Sequence, residues 1–383
     1  QAQVLKNLVI SDFSVAHKTS VTLKLVSVNN TLLQATLAGR GPDVALGINA
    51  SDTMNYAFRR SLVELSALEG YKEAEKAFPQ AALTTVSSGD KVYALPQTMT
   101  YPVLFYRADI LKDLGISVPQ TWEDVYGVLP ILAQNNMTFG LPSPSTTNTT
   151  FMSLLYQRGG SIYSDDLKTA KFYDETTIRV MREWVKFYSS YGLPISYDFV
   201  NRFAAGSTPL AIADYSMYNN MCLYAPQMEN QWSFTVIPGT KDENGNIDHG
   251  ASVTVTAAII FDSTDAVNES WEFLKWWTSA DIQSRYGNLI EDQLGKAGRY
   301  ATANTGALGH LRWSERFYDN LMAQREFTFG VPEVPGGYYT NRYLMNAFME
   351  SYNNGTDARE TMYEYNITVN EELSYQRNVL ELE

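Results

Sequence analysis

Two hydrophobic periods alternate along the first fifty residues, and that alternation restricts the chain to folds that layer helices on strands. Residues 1–17 place Val4, Leu8, Asp12 and Ala16 on one helical face, with Leu5, Val9 and Phe13 beside them. Residues 20–28 switch to period two, with Val21, Leu23 and Leu25 on one side, which predicts a strand. A short apolar helix is expected over 30–38, stopped by Gly39-Arg40-Gly41-Pro42. Residues 43–48 then form a brief apolar run of the kind found in a buried parallel strand. Strand and helix in alternation predict an α/β layer structure.

The same theme continues downstream. A helix is expected over 122–134, behind Val118-Pro119-Gln120 and with Thr121 as N-cap. Another, over 174–191, carries Ile178, Met181, Trp184, Val185 and Tyr188 at helical spacing. Short strands are expected at 210–213, 233–237 and 252–261, the last two flanking a polar turn at 242–250. From residue 265 the pattern is mainly helical: Val267, Trp271, Leu274 and Thr278 line one face, and closing helices fall at 342–351 and 357–380. At 383 residues the chain exceeds the ~250–300 at which a single core stops growing. Two α/β regions are expected, with no linker between them and therefore joined by extended crossings that allow a hinge.

Composition removes several function classes. A formal charge of −13 excludes nucleic acid or an anionic membrane as the main partner, because both require a basic face. Cys222 is the single cysteine, so no disulfide within the chain and no multi-thiolate metal site can form. No apolar run is long enough to span a bilayer. The chain opens on Gln1 without a signal peptide, and its N-terminus is read as trimmed or cut from a longer chain.

Catalytic and metal motifs are equally scarce. His17, His249 and His310 lie apart in polar sequence, with no His-x-x-x-His pair for zinc. There is no Gly-x-Ser-x-Gly elbow, and Gly295-Lys296-Ala297-Gly298-Arg299 lacks phosphate-loop spacing. The run starting at Asp242 resembles a calcium loop but has Ile247 where glycine is needed and Val253 where a bidentate Glu is needed. Neither a cofactor nor a metal is expected. Aromatic residues are abundant, and tyrosine or tryptophan, with an apolar face and a polar edge, suits sugar rings. Trp184, Trp271, Trp276 and Trp277 sit at helical spacing and read as core. Tyr101, Tyr215, Tyr218, Tyr300, Tyr338 and Tyr339 fall in loops and are better ligand candidates.

Several segments occur in the order found in one family. Gly41-Pro42-Asp43-Val44-Ala45, Val92-Tyr93-Ala94-Leu95-Pro96 followed by Val103-Leu104-Phe105-Tyr106-Arg107, and Pro119-Gln120-Thr121-Trp122-Glu123-Asp124 make the first half of the match. Phe203-Ala204-Ala205-Gly206 through Leu210-Ala211-Ile212, Ile237-Pro238-Gly239, and Ser270-Trp271-Glu272-Phe273-Leu274-Lys275-Trp276 make the second. Together they resemble the extracellular solute-binding proteins of carbohydrate ABC importers, the maltose-binding-protein-like family. Two places depart from the pattern: the strand that opens the family is missing before the first helix, and Asp214-Tyr215-Ser216-Met217-Tyr218-Asn219 stands where the family has a simple gly-x-trp.

The resemblance implies a two-lobed, periplasmic-binding-protein-like α/β fold with hinge crossings near 100–105 and 255–261. One lobe would take 1–102 and 260–310, and the other 103–259 and 311–383. It implies a monomer outside the cytoplasm, of lipoprotein type, that closes over a saccharide and is read by ABC-transporter membrane subunits. Ligand residues are expected at the carboxyl ends of strands: Asn49, Ser51 and Asp52; Gln97, Thr98 and Tyr101; Asp214, Tyr215 and Tyr218. Family position adds Arg299, Tyr300, Tyr338, Tyr339 and Arg342. For each polar loop residue the plainer reading is a solvated turn, and for Asp214 a cap on the helix near Tyr218 with both tyrosines packed beneath. A secreted glycan hydrolase and a non-binding interaction module are the rival readings.

Overall fold

The computed structural model describes residues 1–26, 32, 35–36, 39 and 41–382. Most of the helix expected over 30–38, and residues 27–28 of the expected first strand, lie outside the described residues. The chain divides into two compact units. The first is Gln1–Thr100, Val253–Trp313 and Gly330–Val334; the second is Tyr101–Ser252, Ser314–Phe329 and Pro335–Glu383.

The first unit opens on a helical run, Ala2–Leu8, with a π-turn at Val9–Phe13 and a last turn at Ser14–His17. Val4, Leu8, Val9 and Phe13 are buried, Phe13 meeting Phe273 edge to face. Asp12, on the expected face, accepts from the Trp276 indole at 3.0 Å and from Arg285 at 2.6 Å. The sheet is three-stranded and antiparallel, in the order Val44–Asn49, Thr254–Ile260, Ala94–Thr100. Helices Ala50–Phe58 and Val267–Thr278 pack on it. Their apolar stripes bury Met54, Tyr56, Trp271, Leu274 and Trp277, as helical spacing requires.

Two sequence expectations change here. Among the described residues, 18–26 carry no strand ladder despite their period-two pattern. The strand Thr254–Ile260 pairs on both sides within the first unit, so residues 253–259, expected in the other lobe, belong with Gln1–Thr100. The short return Gly330–Val334 also belongs there. Gly330 runs so close to the helix Gln80–Thr84 that an added Cβ would lie 2.2 Å from the Ala81 carbonyl oxygen.

The second unit holds a four-stranded sheet in the order Phe139–Gly140, Leu210–Asp214, Pro102–Arg107, Trp232–Thr235. Phe105 pairs opposite Phe234 in register and is ringed by Phe199, Phe203 and Trp232. Helix Trp122–Gln134 starts at Thr121 with a capping box: Asp124 N–H donates to the Thr121 hydroxyl at 3.1 Å, and Thr121 N–H donates to the Asp124 carboxylate at 2.9 Å. Helices Glu175–Ser189, Gly337–Asn354 and Ala358–Val379 pack together. Trp184 lies between Phe151 and Phe348. The buried Gln157 amide braces the polar turn from below, donating to Pro238 and Gly250 carbonyls and accepting from the Trp122 indole and the Thr240 hydroxyl. That satisfies the groups a buried loop would otherwise leave unpaired.

Candidate functional site

At one end of the first unit's sheet, strand Val44–Asn49 passes directly into helix Ala50–Phe58. Asn49 closes the strand and caps the helix: its side-chain Oδ1 accepts from Asp52 N–H at 2.7 Å, and its side-chain Nδ2 donates to the Asp52 carboxylate at 2.8 Å. Register sets Asn49 opposite Thr256 and Thr256 opposite Thr98. The two threonine hydroxyls are 2.5 Å apart. Thr98 bridges in turn to Thr302, whose hydroxyl donates to Gln283 at 3.0 Å. Because residues in register share a face, Asn49, Thr256 and Thr98 form a lateral row of short, uncharged hydrogen-bonding groups. Gln97, next in the chain, accepts from Gly47 N–H at 3.0 Å. Ser51 is partly exposed in the first turn of the helix.

Glu333, in the return segment, adds a carboxyl to this unit. Burial and the negative charge of Asp52 push it up to about 7. The remaining two expected residues of this unit face inward. Arg299 is buried in a bidentate pair with Glu291, both contacts at 2.6 Å, and its guanidinium lies over the Trp313 ring. Tyr300 meets Tyr286 edge to face, and burial pushes its hydroxyl up. Arg299 therefore serves the packing of the first unit, correcting its expected ligand role.

In the second unit, Tyr101, Tyr215 and Tyr218 pack as core. The Tyr101 hydroxyl donates to the Leu321 carbonyl at 2.9 Å, and the Tyr215 ring lies 4.8 Å from its own. Burial pushes the Tyr101 hydroxyl up, with Arg325 pulling the other way. Tyr218, 6% exposed, meets Trp232 and Phe317 edge to face. The plainer reading thus holds for the two tyrosines beneath the loop. Asp214 ends its strand and accepts from Ser216 N–H at 2.9 Å, an Asx turn that leads into helix Met217–Tyr224 without capping it.

The start of helix Gly337–Asn354 is different. Tyr338 is 61% exposed, Arg342 is exposed, and Tyr339 lies between Tyr338 and Tyr343. The charge of Glu372 raises the Tyr339 hydroxyl's pKa. Asn341 on the same turn accepts from the Asn148 amide at 2.8 Å, so the polar loop Ser143–Asn148 is tied to this helix start. The fold thus groups Asn49, Ser51, Asp52, Gln97 and Thr98 in one unit, and Tyr338, Tyr339 and Arg342 in the other.

Sequence reasoning missed Thr256, Glu333 and Asn148. A threonine in an apolar strand and an acid set between apolar residues in Val331-Pro332-Glu333-Val334-Pro335 were the available signals. Among the described residues, no group of three or more His, Cys, Asp or Glu is placed to hold a metal ion. No helix among them is long and apolar enough to cross a membrane.

Two α/β units, the first with Asn49, Thr256 and Thr98 in a row at one end of its sheet and the second with Tyr338, Tyr339 and Arg342 at a helix start, have the architecture of a solute-binding protein. The profile of the bacterial extracellular solute-binding protein family matches residues 3–284, and the chain belongs to that family. No curated protein matches it. Among solved structures, the sugar-binding protein MalE from Xanthomonas citri is similar at TM-score 0.81 and 18% identity, covering 100% of this chain and 97% of that one. Listeria monocytogenes MalE in complex with maltose is similar at TM-score 0.76 and 14% identity, covering 97% and 94%. An ABC transporter solute-binding protein from Thermotoga lettingae, bound with alpha-D-tagatose, is similar at TM-score 0.73 and 18% identity, covering 96% and 95%.

Proposed function

We propose that this protein captures a neutral, hydroxyl-rich solute, a saccharide, outside the cytoplasm and delivers it to the membrane subunits of an ABC importer without altering it. The observation that carries the reading is the row Asn49, Thr256, Thr98 at one end of the first unit's sheet. Side chains that both donate and accept, with no fixed charge, match sugar hydroxyls, which do the same. In the second unit Tyr338 supplies an exposed ring for stacking, and Tyr339, Arg342 and Asp214 are the further ligand candidates. Family membership and the maltose and tagatose held by similar structures support the solute class.

Capture follows if the solute contacts both units in one arrangement of the chain and only one unit in another, because a ligand shifts a population only by its differential affinity. Isothermal titration of the purified chain with neutral mono- and oligosaccharides tests the proposal. Binding with no release of reducing ends is the expected result. Thr98→Val should weaken it by about three- to tenfold, the value of one lost hydrogen bond. Hydrolysis of the bound sugar would replace this reading with that of a glycan-processing enzyme.

A further inference from the structure

The row Asn49, Thr256, Thr98 owes its common facing to a pair of bulges. Val44 and Ala45 pair with Ile260 and Ile259, but Ile48 and Asn49 pair with Ala257 and Thr256, so Leu46 and Gly47 share the single place opposite Ala258. On the other side of the same central strand, Thr98 pairs with Thr256 and Pro96 with Ala257, which leaves Gln97 no place of its own. Ala257 borders both bulges.

Each bulge inserts one residue, and a shift of one residue moves side chains to the opposite face. Continued without a break from Ala45 and Ile259, the first ladder would set Asn49 opposite Val255. Continued from Pro96 and Ala257, the second would set Thr98 there too. Val255 is 2% exposed, whereas Thr256 and Thr98 are partly exposed and Asn49 is exposed. The two bulges together therefore take Asn49 and Thr98 off the face of buried Val255 and bring them into line with Thr256.

Gln97 ties the bulges to each other. Its side-chain Oε1 accepts from Gly47 N–H at 3.0 Å across the central strand. Its backbone carbonyl accepts from Ala303 N–H at 3.0 Å on the far side, which anchors the residue that makes the clasp. Gly47 holds φ at +73°, a left-handed backbone that glycine adopts without strain.

We propose that Gln97 is a positioning residue for solute capture: its amide oxygen fixes the bulge at Gly47 and so holds Asn49 in line with Thr256 and Thr98. This rests on the reading that the row binds a sugar. Gln97 then acts through Gly47 and does not itself touch the solute.

Nuclear magnetic resonance of the ligand-free chain, with glycine and asparagine selectively labelled, tests the first link. In Gln97→Leu, Gly47 N–H should exchange with solvent at least tenfold faster than in the parent, and the Asn49 side-chain amide should shift. Gln97→Glu keeps an acceptor and should restore both signals. Calorimetry with the saccharide that binds the parent tests the second link. Gln97→Leu should weaken affinity about tenfold, Gly47→Ala similarly, and the double variant little more than either, because the two changes break one clasp. A Gly47 amide unmoved in Gln97→Leu overturns the proposal. So do losses that multiply in the double variant, which would give Gln97 a solute contact of its own. The resonance test needs no solute: titrations flat for every saccharide would sink the function proposed above, while Gly47 and Asn49 would still decide the positioning claim.

Discussion

Glu333 and Asp52 share the first unit, and burial together with the Asp52 charge pushes Glu333 up to about 7 from an ordinary 4.5. The folded chain therefore holds that proton more tightly than the unfolded one. The stabilisation is fully present below about pH 4.5 and is lost as pH rises through 7. Glu333→Gln should flatten that stretch of the curve and raise the melting temperature at pH 8 relative to the parent, as calorimetric scans across pH would measure. A parent and variant with parallel profiles would show Glu333 to be ordinary. Tyrosines divide in the same residue-by-residue way. Tyr218→Ala empties a site walled by Trp232 and Phe317 and should cost about 3–5 kcal/mol of stability. Tyr338→Ala should leave the melt within about 0.5 kcal/mol and lower solute affinity at least tenfold. Chemical denaturation and titration of both variants separate the two roles. Sequence placed both tyrosines in loops and could not tell them apart, because burial depends on residues a hundred positions away. Arg299 misled for the same reason: its partner Glu291 is close in sequence, but nothing in the spacing says that the pair is buried.

Elements were legible where their signals are local. Thr121, read as an N-cap, begins a helix whose observed span, Trp122–Gln134, is the expected one, because the cap hydroxyl and the N3 carboxylate act within one turn. Thr121→Ala should cost about 1 kcal/mol, seen as an earlier melt without loss of solute binding. Residues 21–26 mark the limit of such reading. Alternation states that a segment suits a sheet, while a ladder needs a neighbour, and the pattern says nothing of the neighbour. The return Gly330–Val334 was invisible for a related reason. Its first residue runs close against the helix Gln80–Thr84, and Gly330→Ala, which would set a Cβ 2.2 Å from the Ala81 carbonyl oxygen, should destabilise the first unit and return Glu333 toward ordinary carboxylate titration. Nuclear magnetic resonance titration of Glu333 in that variant measures the second effect directly.

At the scale of the molecule, the α/β class followed from alternating periods, while the division into units needed pairing partners. A strand such as Thr254–Ile260 belongs to whichever sheet bonds it, and both its neighbours are in the first unit. Of the candidate ligand groups, strand ends in the sequence pointed to Asn49 and Thr98, and family position to Tyr338. Thr256 joins them only through register. The central claim is that these groups bind an uncharged sugar. Titration calorimetry of the purified chain against a panel of neutral saccharides, at low and at moderate salt, tests it most directly. The account predicts saturable heat with at least one sugar, an affinity that salt leaves unchanged, and a ligand recovered intact. No heat with any saccharide, an affinity that collapses with salt, or recovery of a cleaved sugar would contradict it.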